Sequence, residues 1–249
     1  STVDPTNPGY LHYPHEYVQM EFLRGARALS PNPRVLVIGG GGYTYPRYAM
    51  EMLPETKMDV VEIDPGVTKV AKQYLGLKEY DGLEIVHMDG RQFVAEKVPP
   101  GTYDLVIQDA VNDLSVPSHL LTKEYNDAVK KALKPNGVYL LTVIDVIKYG
   151  QIWKAAMHTL QQTYPQDNVC LLLPSEFTFT DKTVAERHVF VISASEHPLN
   201  LAGLKVAVRQ QMKIVEVHWH CCWGGVAVMW LCASKRSVSQ LHAHTCTVH

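Results

Sequence analysis

The chain has 249 residues, 46% of them hydrophobic and 19% charged, with a formal net charge of −2. That length can bury one sizeable core with a small appendage, and the composition is that of a folded globular protein. The small net charge and the lack of a basic run argue against a nucleic acid held through its phosphates, and no apolar run reaches the roughly 18 residues of a membrane span.

Residues 1–33 begin STVDPTNPGY, without methionine and with no recognisable signal peptide, and read as the start of a fragment or a processed chain. They carry Tyr10, Tyr13 and Tyr17, and the spacing of Tyr17, Met20, Phe22, Leu23 and Ala26 is helical. Ser30-Pro31-Asn32-Pro33 ends that helix. The stretch is either an arm packed across a sheet edge or a lid whose tyrosines line a substrate pocket.

From Arg34 the pattern alternates. Apolar runs predict strands over 34–39, 58–63, 84–88, 103–108, 137–144, 168–173 and 187–194, and helical spacing predicts helices over 45–53, 66–75, 91–97, 122–134 and 149–163. Strands with intervening helices make a layered α/β domain over residues 34–200, mostly parallel because such crossovers are right-handed. Lys134-Pro135-Asn136-Gly137 reads as a helix stop. No long helix separates the 168–173 and 187–194 runs, which predicts a final antiparallel strand, as in nucleoside-binding methyltransferase sheets.

Residues 201–249 form a third segment. From 213 onward it concentrates His, Cys and Trp without clear periodicity, so it is expected to be partly disordered or non-native. His218, His220, Cys221 and Cys222 cluster there, but without a paired C-x-x-C, and no metal is expected. Cys170 stands alone in a strand run, which fits a reducing compartment and a cytoplasmic location.

The residues that carry chemistry gather at strand ends. Residues 34–64 read strand, glycine turn (39–42), helix, strand, acid, the nucleotide-binding half of a doubly wound sheet. Glycine lets backbone approach a ligand because no Cβ intervenes. The run GGGGYTYP lacks the third glycine of G-x-G-x-x-G, which disfavours a dinucleotide pyrophosphate. A nucleoside without phosphates fits better, such as S-adenosylmethionine or its decarboxylated form. Glu62 and Asp64 end the second strand, Asp89 the third and Asp109 the fourth, all on the carboxyl edge where ligands bind in such sheets. Glu62 can accept both ribose hydroxyls, whereas Asp64, before Pro65, also suits a helix cap.

VLVIGGGG, VVEIDPGVTKVAKQYLG, HMDGRQFV, YDLVIQDA and LLTKEYNDAVKKALKPNGVYLL occur in that order. Together they resemble the spermidine synthase family, the polyamine aminopropyltransferases, over about residues 30–195. Residues 39–48 and 109–126 nearly reproduce the GGGGYTxPRY and DAxNDLSVPxHLxTxEFN signatures of spermidine-synthase-like domains in bacterial membrane-fused proteins. The resemblance implies a Rossmann-like, seven-stranded, mostly parallel sheet of the S-adenosylmethionine-dependent methyltransferase type. It implies that Gly39, Gly40 and Gly41 pass under the sulfonium-bearing chain. Glu62, with Ile63, would hold the ribose, and Asp89 and Gly90 would contact the adenine. Asp109 would deprotonate or orient the attacking amine, with Tyr17, Asn112 and Asp113 on the acceptor side.

The chain departs from the family in three places. Gly42 replaces the aspartate of GGGDGG that fixes the donor's amine. The second aspartate of D-x-x-D falls at Asn112, with Asp113 one place later. The family's N-terminal β-domain, used for oligomerisation, is absent or cut short, and a homodimer is among the expected assemblies. Three functions stay open. One is aminopropyl transfer from decarboxylated S-adenosylmethionine to a small-molecule amine. Another is methyl transfer from S-adenosylmethionine, for which Gly42 speaks. The third is a non-catalytic nucleoside-binding domain of a membrane-associated protein.

Overall fold

Strands β1 (Arg34–Ile38) and β2 (Lys57–Val61) are buried at every position after the first, as expected of strands covered on both faces. The computed structural model describes residues 2–111, 116–173, 180 and 182–199 with their side chains, and Pro174, 212–222 and 226–233 as backbone. The sheet continues through β3 (Leu83–Val86), β4 (Tyr103–Gln108), β5 (Leu133–Val146), β6 (Val169–Pro174), β7 (Arg187–Ser195), β8 (Met212–Cys222) and β9 (Val226–Ala233). Among the described residues its order is β3-β2-β1-β4-β5-β7-β6-β8-β9. Strands β1 to β5 pair in parallel, and β7 runs antiparallel to both β5 and β6. All seven expected strands form, including the antiparallel one. Strands β8 and β9 make an antiparallel pair on the β6 edge, within the segment expected to be partly disordered or non-native. The side chains of His218, His220, Cys221 and Cys222 lie outside the described residues.

Six helices flank the sheet among the described residues: α1 (Pro14–Leu29), α2 (Thr44–Met52), α3 (Pro65–Tyr74), α4 (Gly90–Glu96), α5 (Lys123–Ala132) and α6 (Ile152–Gln161). Helix α5 stops two residues short of the predicted Lys134, because Leu133 already pairs with Tyr103 and Pro135 cannot continue a helix. Alternation along each strand splits the core into two layers. Val35 and Val37 join Met58, Val60, Leu105 and Ile107 under α1, α2 and α3. Leu36 and Ile38 join Val106, Tyr139 and Leu141 under α4, α5 and α6.

Helix α1 lies over β4, β5 and β7, so it covers a face of the sheet. Val18, Met20, Phe22 and Leu23 are at most 3% exposed, and burying each such side chain contributes roughly 1.5–3 kcal/mol. Helix α1 is thus part of the core. Strand β1 sits between β2 and β4, so the strand order reverses there. The crevice outside the carboxyl ends of β1 and β4 is where open α/β sheets bind ligands.

Candidate functional site

Gly39 follows β1 with φ +100°, a conformation that side chains disfavour. A Cβ there would lie 2.7 Å from the Asp109 carbonyl oxygen. Glycine therefore lets the loop after β1 and the end of β4 close on one another, and the Asp109 N–H donates to the Ile38 carbonyl at 2.9 Å. A Cβ on Gly40 would collide with the buried Tyr43 ring, 2.5 Å away. Tyr43 is itself at φ +54°, and its hydroxyl bonds Thr68 at 2.6 Å.

Glu62 braces this loop from below. Its Oε2 accepts from the Gly40 and Gly41 N–H groups at 2.8 and 3.3 Å, and Oε1 accepts from the Asp64 N–H at 2.9 Å. A carboxylate offers about four acceptor sites, so the three backbone donors leave one for a further donor. Asp64 caps α3 by accepting from the Gly66 N–H at 2.7 Å.

A cavity of about 400 Å³ opens above the loop. Gly39, Gly40, Gly41 and Asp109 line one side, Tyr13 at the N-cap of α1 and His15, Glu16 and Gln19 within it line another, and Thr44, Tyr45 and Thr142 complete the polar wall. His15 Nε2 stands 3.6 Å from Asp109 Oδ2, and Gln19 Nε2 donates to Asp109 Oδ2 at 3.4 Å and to Thr142 Oγ1 at 3.3 Å. Burial would push the Asp109 carboxyl up, but His15, Gln19 and Thr142 hold it below its ordinary value. Burial would likewise push His15 down, but Asp109 raises it above its usual value. With His15 protonated, the two form an ion pair facing the cavity. Glu16 accepts from the Thr44 hydroxyl and, at 3.3 and 3.2 Å, from the His12 and Tyr13 N–H groups.

The other expected site residues stand apart from this wall. Asp89 caps α4 by accepting from the Gln92 N–H at 3.0 Å and pairs with His119 Nε2 at 2.9 Å. Burial raises its carboxyl, and the Gln92 and His119 bonds outweigh that to lower it. Gly90 packs against Ile38, 2.5 Å from where its Cβ would be. Ile63 is 67% exposed. Tyr17 donates to the Leu11 carbonyl at 3.1 Å and packs edge-on against Tyr48, away from the cavity wall. Asn112 and Asp113 lie outside the described residues.

Sequence reasoning overlooked His15, Glu16, Gln19, Tyr45 and Thr142. A signal for two of them existed: positions 15, 18, 19, 22 and 23 form one helical stripe, and it is apolar except at His15 and Gln19.

The doubly wound sheet, the glycine turn and the strand-end acids define an α/β domain of the S-adenosylmethionine-dependent methyltransferase type. Residues 23–198 match the Spermine/spermidine synthase domain family, and the chain belongs to that family. A polyamine aminopropyltransferase of Vibrio vulnificus is 31% identical over 140 residues, covering 55% of this chain and 46% of that protein. The human eEF1A lysine and N-terminal methyltransferase is 27% identical over 144 residues, covering 53% of this chain and 21% of that protein. A probable spermidine synthase from Corynebacterium glutamicum shares the fold with a TM-score of 0.70 at 19% identity, over 82% of this chain and 72% of that one. The chain spans about half the length of the polyamine aminopropyltransferases it matches.

Proposed function

We propose that this domain transfers an aminopropyl group from decarboxylated S-adenosylmethionine to a small-molecule amine. The observation that carries the reading is Asp109, held ionised at the switch point beside the glycine loop by His15 and Gln19. The amine nitrogen attacks the methylene carbon next to the sulfonium. A C–N bond forms, the C–S bond breaks, the sulfur leaves as a neutral thioether, and the nitrogen gives up one proton. An ammonium has no lone pair, so a carboxylate that receives its hydrogen and steers the freed lone pair in line promotes the step. With its pKa below the ordinary value, Asp109 acts chiefly as an orienter that accepts a hydrogen bond from the amine, and the proton is released to solvent water. Gly39, Gly40 and Gly41 run under the donor's chain. Glu62 takes a ribose hydroxyl with its remaining acceptor site, next to Ile63, and Asp89 and Gly90 border the adenine.

Methyl transfer from S-adenosylmethionine is the second reading, supported by the likeness to the human methyltransferase. Mass spectrometry of products from a mixed amine pool with both donors separates the two. The first reading expects an amine heavier by an aminopropyl group, together with methylthioadenosine. A methylated product with S-adenosylhomocysteine would overturn it in favour of the second.

A further inference from the structure

The ionisable groups on the cavity wall are His15, Glu16, Asp109 and the tyrosines Tyr13 and Tyr45, with no Lys or Arg among the described residues that line it. Asp109 is compensated by His15 at 3.6 Å. Glu16 is 4% exposed, yet its hydrogen-bond partners are the neutral Thr44 hydroxyl and two long contacts from backbone N–H groups. His15 also feels the field of Glu16, but one imidazolium cannot neutralise two carboxylates. By formal charge the wall therefore carries two carboxylates against one imidazole, an excess of acidic groups.

A capping box explains the backbone contacts of Glu16; it does not explain why the side chain forms cavity wall against the first turn of α2. A second observation points to a polar ligand in the same place. His15 Nδ1, Gln19 Oε1 and Tyr45 Oη, all on the wall, are buried without a hydrogen-bond partner among the described residues. Buried polar atoms are ordinarily satisfied.

We propose that Glu16 anchors the ammonium group of a cationic, carboxylate-free ligand in this cavity, and so selects a decarboxylated sulfonium nucleoside over its carboxylated form. The inference rests on the reading of the cavity as a sulfonium-nucleoside site. A carboxylated ligand would bring a further carboxylate to a wall with no Lys or Arg among its described residues to receive it. Glu16 supplies from α1 an acid that the glycine loop lacks at Gly42.

Calorimetry with three probes tests this: decarboxylated S-adenosylmethionine, S-adenosylmethionine, and methylthioadenosine, which has the nucleoside and thioether but no amine. The unsubstituted protein should bind the decarboxylated donor at least ~10-fold more tightly than the other two. In Glu16→Gln the preference for that donor over methylthioadenosine should fall by about 10-fold, with methylthioadenosine affinity held within about twofold. The ratio within one protein controls for misfolding, since a damaged fold loses both probes together. Equal loss of both probes in the variant overturns the proposal, as does S-adenosylmethionine binding the unsubstituted protein as tightly as its decarboxylated form. Failure of methylthioadenosine to bind the unsubstituted protein overturns the nucleoside reading as well, an outcome distinct from an unchanged ratio.

Discussion

The pairing of His15 with Asp109 sets a pH window. Asp109 is depressed, so its contribution to stability is present above about pH 4 and is lost as pH falls through the lowered value. His15 is raised, so its contribution is fully present below about pH 6.5 and is lost as pH rises through the raised value. The pair should therefore stabilise most between about pH 4 and about pH 6.5. Melting temperatures of the unsubstituted protein and His15→Gln should differ most at about pH 5.5 and converge towards about pH 9; a gap that stays constant with pH would mean that His15 only packs. Asp109→Asn keeps the shape and removes the charge. It should leave donor affinity nearly intact while lowering the transfer rate by roughly 10²–10⁴-fold, read by single-turnover product formation. Full activity would remove Asp109 from the mechanism.

The glycine turn and its brace work as one element. Glu62→Gln would turn an amide N–H₂ or a single carbonyl towards three backbone donors and should cost about 1–3 kcal/mol of stability, with nucleoside affinity lost in the same variant. Gly39→Ala faces both the positive φ and the Asp109 backbone, so denaturant unfolding should show a loss of more than about 1 kcal/mol. This turn was legible in the sequence because it is local: strand, four glycines, helix and acid lie within residues 34–64. The strands were legible for the same reason, since burial on both faces writes itself as continuous apolar runs. Helix α1 was legible as a helix but not as a wall of the site. His15 and Gln19 acquire meaning only when α1 folds over β4 and meets Asp109, about ninety residues away. The strand-end position of Asp89 was legible in the sequence, whereas its cap on α4 and its contact with His119, thirty residues on, are seen only in the structure.

Among the residues described with side chains, both core layers lie within residues 11–199, while β8 and β9 add to the β6 edge. A chain ending at residue 199 should keep a single cooperative urea transition but self-associate through the bared β6 edge, seen by sedimentation. Loss of the cooperative transition would make the β8–β9 pair integral to the fold. Among the described residues no helix is long and apolar enough to cross a membrane. The way α1 is built has a consequence for how such a domain diversifies. Tyr13, His15, Glu16 and Gln19 fall within about two helical turns, just ahead of the family-matched residues 23–198, and interleave with the apolar Val18 that anchors the helix. The glycine loop and the α1 side of the cavity thus lie on separate stretches of chain. Exchanging a few wall residues, with the anchoring ones kept, would give a lineage a new acceptor or donor preference without disturbing a single strand pairing.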